Sequence, residues 1–190
     1  MLIFFLSFIF QWVLVVIAFT TFILLILWML SGLGGKVPYV SVPQKVLPDL
    51  YRVLKLKDDS VLYDLGSGDG KVLFYLSKKV NNARYIGIEN RIFPFIIARF
   101  TKWLNNKTFK NVKIIKKNFF DMDLSDATHI FVYLYPNMLD DLLVKLEKEL
   151  RPGTILVSVS FQFTLKRPTK EIDLERNKYG LVRKIYIYEF

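Results

Sequence analysis

The feature that most constrains this chain is an apolar run from Leu2 to Leu30, with no charged residue before Lys36. Because about 20 apolar residues cross a bilayer as a helix, these 29 residues are long enough to do so with tilt to spare. Trp12 and Trp28 lie 16 residues apart, which suits the two aromatic belts of a membrane. A cleaved signal peptide would have a shorter apolar region and a small-residue cleavage site, and a buried core helix would have a polar face. The run therefore predicts one transmembrane anchor over residues 1–30.

All 27 Lys+Arg and all 17 Asp+Glu lie after this run, in a part that is large enough to bury one core. That composition excludes a disordered chain, a coiled coil, a collagen and a polytopic transporter. The chain has no Cys and one His, so we expect neither a disulfide nor a metal site. The first charged residues after the run are mainly basic. Five are Lys or Arg, at Lys36, Lys45, Arg52, Lys55 and Lys57, and one is acidic, Asp49. The positive-inside rule then predicts a single-pass membrane protein whose domain is cytoplasmic.

Strand-like and helix-like segments alternate through the rest of the chain. The predicted strands are Val61–Leu65, Arg84–Glu89, Val112–Lys116, His129–Tyr135 and Ile155–Phe161, and the predicted helices are Lys71–Val80, Ile92–Leu104 and Met138–Leu150. A terminal strand, Leu181–Phe190, is expected to pair near Glu171–Leu174. Such alternation predicts a parallel sheet with right-handed crossovers. We expect residues 58–190 to form this domain and residues 31–57, which begin with the glycine hinge Ser31–Gly35, to connect it to the anchor.

A glycine-rich loop, Asp64-Leu65-Gly66-Ser67-Gly68-Asp69-Gly70, follows the first predicted strand and opens the first predicted helix. Its glycines permit positive φ and close approach of a ligand, and the helix N-terminus supplies unpaired N–H groups. Glu89 ends the second predicted strand, where an acid can accept hydrogen bonds from ribose hydroxyls. An NAD site would need a glycine in place of Lys71, and Asp64 and Asp69 would repel a pyrophosphate. The pattern favours a cofactor that carries an ammonium and a sulfonium, with a purely structural turn as the alternative.

Asp64–Gly70 with Glu89 resembles motif I of the class I, seven-strand methyltransferases that use S-adenosylmethionine. Further segments resemble the membrane-associated protein-lysine methyltransferases that act on the adenine nucleotide translocase and the c-subunit of the ATP synthase: Pro38 to Pro43, Tyr63 to Lys71, Asp123-Leu124-Ser125 and Tyr135-Pro136-Asn137-Met138. The resemblance implies a Rossmann-like, doubly wound, mostly parallel seven-strand α/β sheet. It implies S-adenosyl-L-methionine as the cofactor, bound by Asp64, Gly66, Ser67, Gly68, Gly70, Glu89 and Asn118, with Asp121 as an alternative to Asn118. The chain departs from the family pattern at Ser41 and Val42, where proline and threonine are usual.

A lysine acceptor must lose its proton before it can attack a methyl group, which costs about 4.6 kcal/mol at pH 7. A dry, aromatic-lined slot lowers that cost because it disfavours the ammonium. Tyr133 and Tyr135, at the end of the fourth predicted strand, are the candidates for such a wall, and Pro136-Asn137 offers a carbonyl or amide to orient the amine. The alternatives are an ordinary core aromatic at Tyr133 and a plain turn at residues 135–137. His129, at the opposite end of that strand, is expected to be structural.

Between Asn90 and Phe120 the chain has eight basic residues and no acidic one: Arg91, Arg99, Lys102, Lys107, Lys110, Lys113, Lys116 and Lys117. They supply most of the net charge of +10. Contact of Arg91–Lys117 with anionic lipid headgroups is one interpretation, a solvated surface is another, and nucleic acid is the least favoured partner. The predicted function is methylation of a lysine in a membrane protein. The alternatives are a lipid or quinone acceptor, or a cofactor-binding module without catalysis.

Overall fold

The computed structural model describes residues 2–33, 41–174 and 184–190. Contacts divide the chain into two units, of which the first contains helix α1 (Leu2–Leu33) and the second contains every other element. Within α1, Phe4–Met29 is long and apolar enough to cross a membrane, and it is the one such helix among the described residues. Residues 31–33 were predicted to belong to the hinge, but helix α1 includes them. Ser and Gly lower helix stability without necessarily ending a helix. The rest of that hinge lies outside the described residues.

The second unit is built on a seven-stranded sheet. Its strands are β1 (Val61–Leu65), β2 (Arg84–Glu89), β3 (Val112–Lys116), β4 (His129–Val132), β5 (Ile155–Val159), β6 (Lys170–Asp173) and β7 (Lys184–Glu189). The order is β3-β2-β1-β4-β5-β7-β6, in which β1 to β5 are parallel and β7 is antiparallel to β5 and β6. This arrangement confirms the predicted Rossmann-like α/β class with a mostly parallel sheet.

Helices cover both faces of the sheet. They are α2 (Leu47–Leu54), α3 (Lys71–Ser77), α4 (Ile92–Leu104) and α5 (Pro136–Glu149), with 3-10 turns at Gln44–Val46 and Phe119–Asp121. One core cluster joins buried residues of α2, α3 and α4 to one face of the sheet, and a second joins α5 to the other face. The carboxyl ends of β1 and β4 meet between these layers, at the point where the strand order reverses. In open α/β sheets, this is the place where ligands bind.

Several predicted boundaries were wrong by a few residues. Strand β4 ends at Val132 rather than Tyr135, because Pro136 begins α5 and Tyr135 is its extended N-cap. The start of α5 at Pro136 likewise precedes the predicted Met138. Strand β5 ends at Val159 rather than Phe161, because Ser160 has a φ of 67°.

Two further differences concern the end of α3 and the start of the terminal strand. Helix α3 ends at Ser77, three residues before the predicted end at Val80. The predicted terminal strand is present as β7 and pairs with β6, and residues 181–183 of that prediction lie outside the described residues.

Candidate active site

A cleft opens at the carboxyl ends of β1 and β4. The residues that line it come from the glycine loop, the start of α3, strand β4 and its following residue, and the segment before α2: Ser41, Val42, Asp64, Gly66, Ser67, Gly68, Asp69, Lys71, Val72, Phe131 and Tyr133. Five of the residues singled out from the sequence therefore line one cleft: Asp64, Gly66, Ser67, Gly68 and Tyr133.

The loop between β1 and α3 has a backbone that favours glycine. Gly66, Gly68 and Gly70 have φ values of 81°, 56° and 78°, in the left-handed region where other residues are strained. The N–H groups of Gly66 and Ser67 both donate to the carbonyl of Ile88, at 2.9 and 3.0 Å. The loop is therefore fastened to the end of β2 and turns tightly into α3.

Glu89, at the end of β2, is 5% exposed and accepts two backbone hydrogen bonds. Its Oε2 accepts from the N–H of Gly68 at 2.9 Å, and its Oε1 accepts from the N–H of Arg91 at 2.7 Å. An ionised carboxylate has about four acceptor positions. Glu89 can therefore hold the glycine loop in place and still accept hydrogen bonds from a ligand.

Asp64 is the one charged residue of β1, and its side chain is buried, at 2% exposure. Burial raises the pKa of its carboxyl well above the ordinary value, and the nearby charges of Glu89 and Asp69 raise it further. Three acids around one loop disfavour an anionic ligand and favour a cationic one. The buried hydroxyl of Ser67 has no hydrogen-bond partner among the described residues. These features fit a cofactor with an ammonium, a sulfonium and ribose hydroxyls.

Gly87 is a site residue that sequence reasoning missed. A Cβ at this position of β2 would lie 2.6 Å from Leu73 Cδ1 and 2.7 Å from Ser67 Oγ. A side chain at this position would force the side chains of Leu73 on α3 and Ser67 in the glycine loop to move. Glycine within a strand often marks such a close approach, but the sequence does not indicate which segment comes close.

Lys71 and Ser41 form a contact that the sequence also did not reveal. The Lys71 Nζ donates to Ser41 Oγ at 2.6 Å and to the carbonyl of Val42 at 3.3 Å. The segment before α2 is thereby held against the first turn of α3, beside the cleft. Thirty residues separate the two partners, so no local pattern could have predicted the pairing.

Tyr133 and Tyr135, both half-buried, follow β4 but have different surroundings. Tyr133 lines the cleft and is hydrogen-bonded to the Ser160 side chain, and burial raises its pKa. Tyr135 stacks on Phe161 with ring centroids 5.6 Å apart, Pro136 starts α5, and Asn137 is exposed. Residues 135–137 are not among those that line the cleft.

The two candidates for an adenine contact follow β3. Asn118 Oδ1 accepts from the N–H of Phe120 at 3.2 Å and caps the 3-10 turn, and Asp121 is exposed at the end of that turn. His129 is buried at the start of β4, with Nδ1 2.8 Å from Thr128 Oγ1, and burial lowers its pKa. Among the described residues no group of three or more His, Cys, Asp or Glu side chains could hold a metal ion.

A seven-strand sheet in this order, with an acid-flanked glycine loop at its reversal point, matches the class I methyltransferase fold that the sequence resemblance implies. The family model for the ANTKMT methyltransferase domain matches residues 64–170, which is more than half of the chain. A protein-lysine N-methyltransferase from Saccharolobus islandicus is 34% identical over 154 residues, 80% of this chain and 92% of that one. The chain therefore belongs to the ANTKMT methyltransferase family and is an S-adenosylmethionine-dependent methyltransferase.

Two further similarities are informative. A lysine N-methyltransferase of the ATP synthase c-subunit, from Caenorhabditis elegans, is 26% identical over 133 residues, 66% of this chain and 67% of that one. The crystal structure of an RNA methyltransferase from Salinibacter ruber, in complex with S-adenosyl-L-homocysteine, has a TM-score of 0.71 at 29% identity. It covers 79% of this chain and 93% of the other. The predicted family, enzyme class and cofactor are thus confirmed.

Proposed function

We propose that this protein is anchored in a membrane by its N-terminal helix and methylates a lysine side chain of a neighbouring membrane protein. The observation that carries the proposal is a candidate membrane span of 26 residues, Phe4–Met29, on the same chain as the methyltransferase domain. Every side chain of this span is exposed. Two relatives named as lysine N-methyltransferases of the ATP synthase c-subunit, from Caenorhabditis elegans and Homo sapiens, support a membrane-protein acceptor.

In this proposal, residues 1–30 are the anchor, 31–57 the connection and 58–190 the catalytic domain. Basic residues after the span support a cytoplasmic domain: Lys36, Lys45, Arg52, Lys55 and Lys57. The basic stretch Arg91–Lys117 would then contact anionic headgroups of the same bilayer.

The cleft suggests a role for each cofactor-binding candidate. When bound, S-adenosylmethionine supplies an electrophilic methyl group on a sulfonium. Asp64 would pair with the ammonium of its methionine part, and Glu89 would accept hydrogen bonds from ribose hydroxyls. The backbone of Gly66, Ser67, Gly68 and Gly70 would allow close approach, and Asn118 or Asp121 would contact the adenine.

The acceptor amine must be neutral to attack, and deprotonation of a free lysine costs about 4.6 kcal/mol at pH 7. The half-buried ring of Tyr133 in the cleft wall supports a dry slot that lowers this cost. Tyr135, stacked on Phe161, would extend the aromatic surface, and Pro136 and Asn137 at the start of α5 would orient the amine.

The class of acceptor can be tested with a labelled methyl group. Membranes incubated with the full-length enzyme and methyl-labelled cofactor should show label in one protein band, and hydrolysis should release it as methyl-lysine. Membranes treated with the Asp64→Asn variant are the control. Label that partitions into organic solvent would instead identify a lipid or quinone acceptor. Label in the RNA fraction would identify the activity for which the Salinibacter ruber protein is named, and cofactor binding without any transfer would indicate a non-catalytic module.

Tyr133 offers a second test, directed at the slot. Tyr133→Ala should lower kcat by about 100-fold, because a misplaced acceptor loses the alignment that the reaction needs. Tyr133→Phe retains the ring but loses the hydrogen bond with Ser160, and should lower kcat by about 5-fold, the equivalent of about 1 kcal/mol. Steady-state kinetics with the identified acceptor would measure both. The control is Tyr51→Ala, on the exposed side of α2, which should leave kcat unchanged. A normal kcat in Tyr133→Ala would show that Tyr133 does not form a wall of the acceptor slot.

A further inference from the structure

Helix α4 exposes an apolar face to its surroundings. Six large hydrophobic side chains on this helix are exposed: Ile92, Ile96, Ile97, Phe100, Trp103 and Leu104. Trp103 is 70% exposed and stacks on Phe100, itself 56% exposed, with ring centroids 5.7 Å apart. At about 100° per residue, the six side chains fall within an arc of about 140° on one side of the helix. We call them the α4 apolar face.

This face is not the one that packs on the sheet. Pro94 and Ala98, on the other side of α4, are buried, and Ala98 belongs to the core cluster that joins the helix to the sheet. A helix on the surface of a soluble domain normally has one apolar side and one polar side. Because α4 has apolar side chains on both sides, its outward face has the character of an interaction site.

Exposed basic side chains lie on α4 and on the loop and strand that follow it. Arg99 on α4 and Lys107, Lys110, Lys113, Lys116 and Lys117 on the following loop and β3 are exposed. Burial, and the nearby charges of Arg99 and Lys113, lower the pKa of Lys102. Lys102 therefore lies near two other cations, and the sequence between residues 90 and 120 contains no acidic residue.

We propose that the α4 apolar face inserts into the boundary between headgroups and acyl chains of an anionic bilayer, with the exposed Arg and Lys side chains of residues 99–117 at the headgroup phosphates. An apolar helix face with Trp and Phe, bordered by basic residues, is typical of helices that lie in a membrane interface. The basic side chains can extend toward the phosphates while their stems cover apolar surface. A protein partner would have to combine an apolar patch with an acidic rim, whereas an anionic bilayer provides both.

The inference rests on the proposed membrane anchoring by α1. Seven residues, 34–40, separate Leu33 from Ser41, and a fully extended chain between these two residues would span at most about 29 Å. The domain therefore stays close to the bilayer once α1 is inserted. Helix α4 also begins beside Glu89, the proposed acceptor for the ribose hydroxyls, since the N–H of its N-cap Arg91 donates to Glu89. A bilayer-seated α4 would hold that edge of the cleft near the membrane surface, where lysines of a membrane protein emerge.

The chain has three tryptophans, Trp12, Trp28 and Trp103, which permits a direct test with the full-length protein. A variant with Trp12→Phe and Trp28→Phe keeps Trp103 as the one reporter. In vesicles of brominated phosphatidylcholine and phosphatidylglycerol, Trp103 emission should shift to the blue and lose intensity by bromine quenching. Without phosphatidylglycerol, or at high salt, the shift and the quenching should both be smaller.

Two further variants make the result decisive. Trp103→Phe leaves Trp12 and Trp28 to report whether α1 is inserted, so a failure of anchoring is seen separately. Val144→Trp, added to a chain without other tryptophans, reports from an exposed position on α5, on the opposite face of the sheet, and should stay accessible to acrylamide and unquenched by bromine. If Trp103 stays accessible to acrylamide in anionic vesicles while Trp12 and Trp28 are quenched, the proposal is overturned and the α4 apolar face is left for a protein partner.

Discussion

Replacement of Asp64 by asparagine should weaken S-adenosylmethionine binding by two to four orders of magnitude while stabilising the ligand-free protein. Loss of one partner of a buried ion pair costs about 3–5 kcal/mol, which corresponds to on the order of 10²- to 10⁴-fold in affinity. The ligand-free protein is stabilised because burial, and then the nearby charges of Glu89 and Asp69, disfavour the ionised Asp64 carboxyl and raise its pKa. A neutral asparagine avoids both costs. Isothermal titration calorimetry and thermal unfolding of the same samples would measure both effects.

The raised pKa of Asp64 also predicts how stability and cofactor affinity depend on pH. A carboxyl whose pKa is higher in the folded state stabilises the fold at low pH, and that contribution is lost as pH rises through the raised pKa. The stability advantage of Asp64→Asn should therefore be greatest at neutral pH and shrink in acid. Cofactor affinity of the wild-type protein should rise with pH as Asp64 ionises, with release of a proton on binding, and the asparagine variant should lack that rise.

Asp126→Asn is the matched control. Asp126 accepts a hydrogen bond from the Tyr63 hydroxyl at 2.7 Å and pairs with Arg84, and it does not line the cleft. Its replacement should leave cofactor affinity within about 2-fold, since surface pairs contribute little. Unchanged affinity in Asp64→Asn, together with unchanged pH dependence, would contradict the placement of the cofactor ammonium.

Replacement of Glu89 by glutamine should weaken cofactor binding by about 10- to 100-fold and, in contrast to Asp64→Asn, destabilise the ligand-free protein. Glu89 accepts from the N–H groups of Gly68 and Arg91, and hydrogen bonds to charged groups contribute about 1.5–3 kcal/mol each. A glutamine has one acceptor oxygen and one donor nitrogen, so one of the two N–H groups loses its partner. Calorimetry would measure cofactor affinity, thermal unfolding would measure stability, and hydrogen exchange at the Gly68 and Arg91 amides would show which N–H group has lost its partner.

Glu171→Gln serves as the comparison for this variant. Glu171 is an exposed glutamate on β6 that pairs with Lys184 at 2.9 Å. Its loss should change stability by less than about 1 kcal/mol and leave cofactor binding intact. A Glu89→Gln variant with normal hydrogen exchange at both the Gly68 and the Arg91 amides would show that neither segment depends on this carboxylate.

Elements with a strong local signal were predictable. The periodic apolar residues and Pro94 predict α4 at its observed bounds, and β2 and β3 likewise match their hydrophobic runs. The ends of β4 and β5 were not predictable in the same way, because Tyr133–Tyr135 and Phe161 have strand-like side chains. There the chain leaves the sheet because Pro136 starts a helix and Ser160 adopts a positive φ.

The residues of the candidate site likewise fall into those that a local pattern predicts and those that depend on distant segments. The glycines of the loop and the acids at the ends of β1 and β2 are adjacent in sequence to the elements that position them, so their spacing carried the information. Gly87, which leaves room for Ser67 and Leu73, and Ser41, which accepts from Lys71, depend on segments that are distant in sequence. Such packing follows from the crossing of elements and has no local pattern.

By itself, then, the sequence determined the long apolar N-terminal helix, the strand–helix alternation and the acid-flanked glycine loop, since each depends on residues within one or two turns or strands of each other. Only the tertiary structure decided which acids share a desolvated cleft, where Tyr133 lies in it, and that α4 is apolar on the side facing away from the sheet. The physical reason is that burial is a property of the assembled layers. The hydrophobic pattern of α4 alone cannot distinguish the side that packs on the sheet from the side that is left exposed.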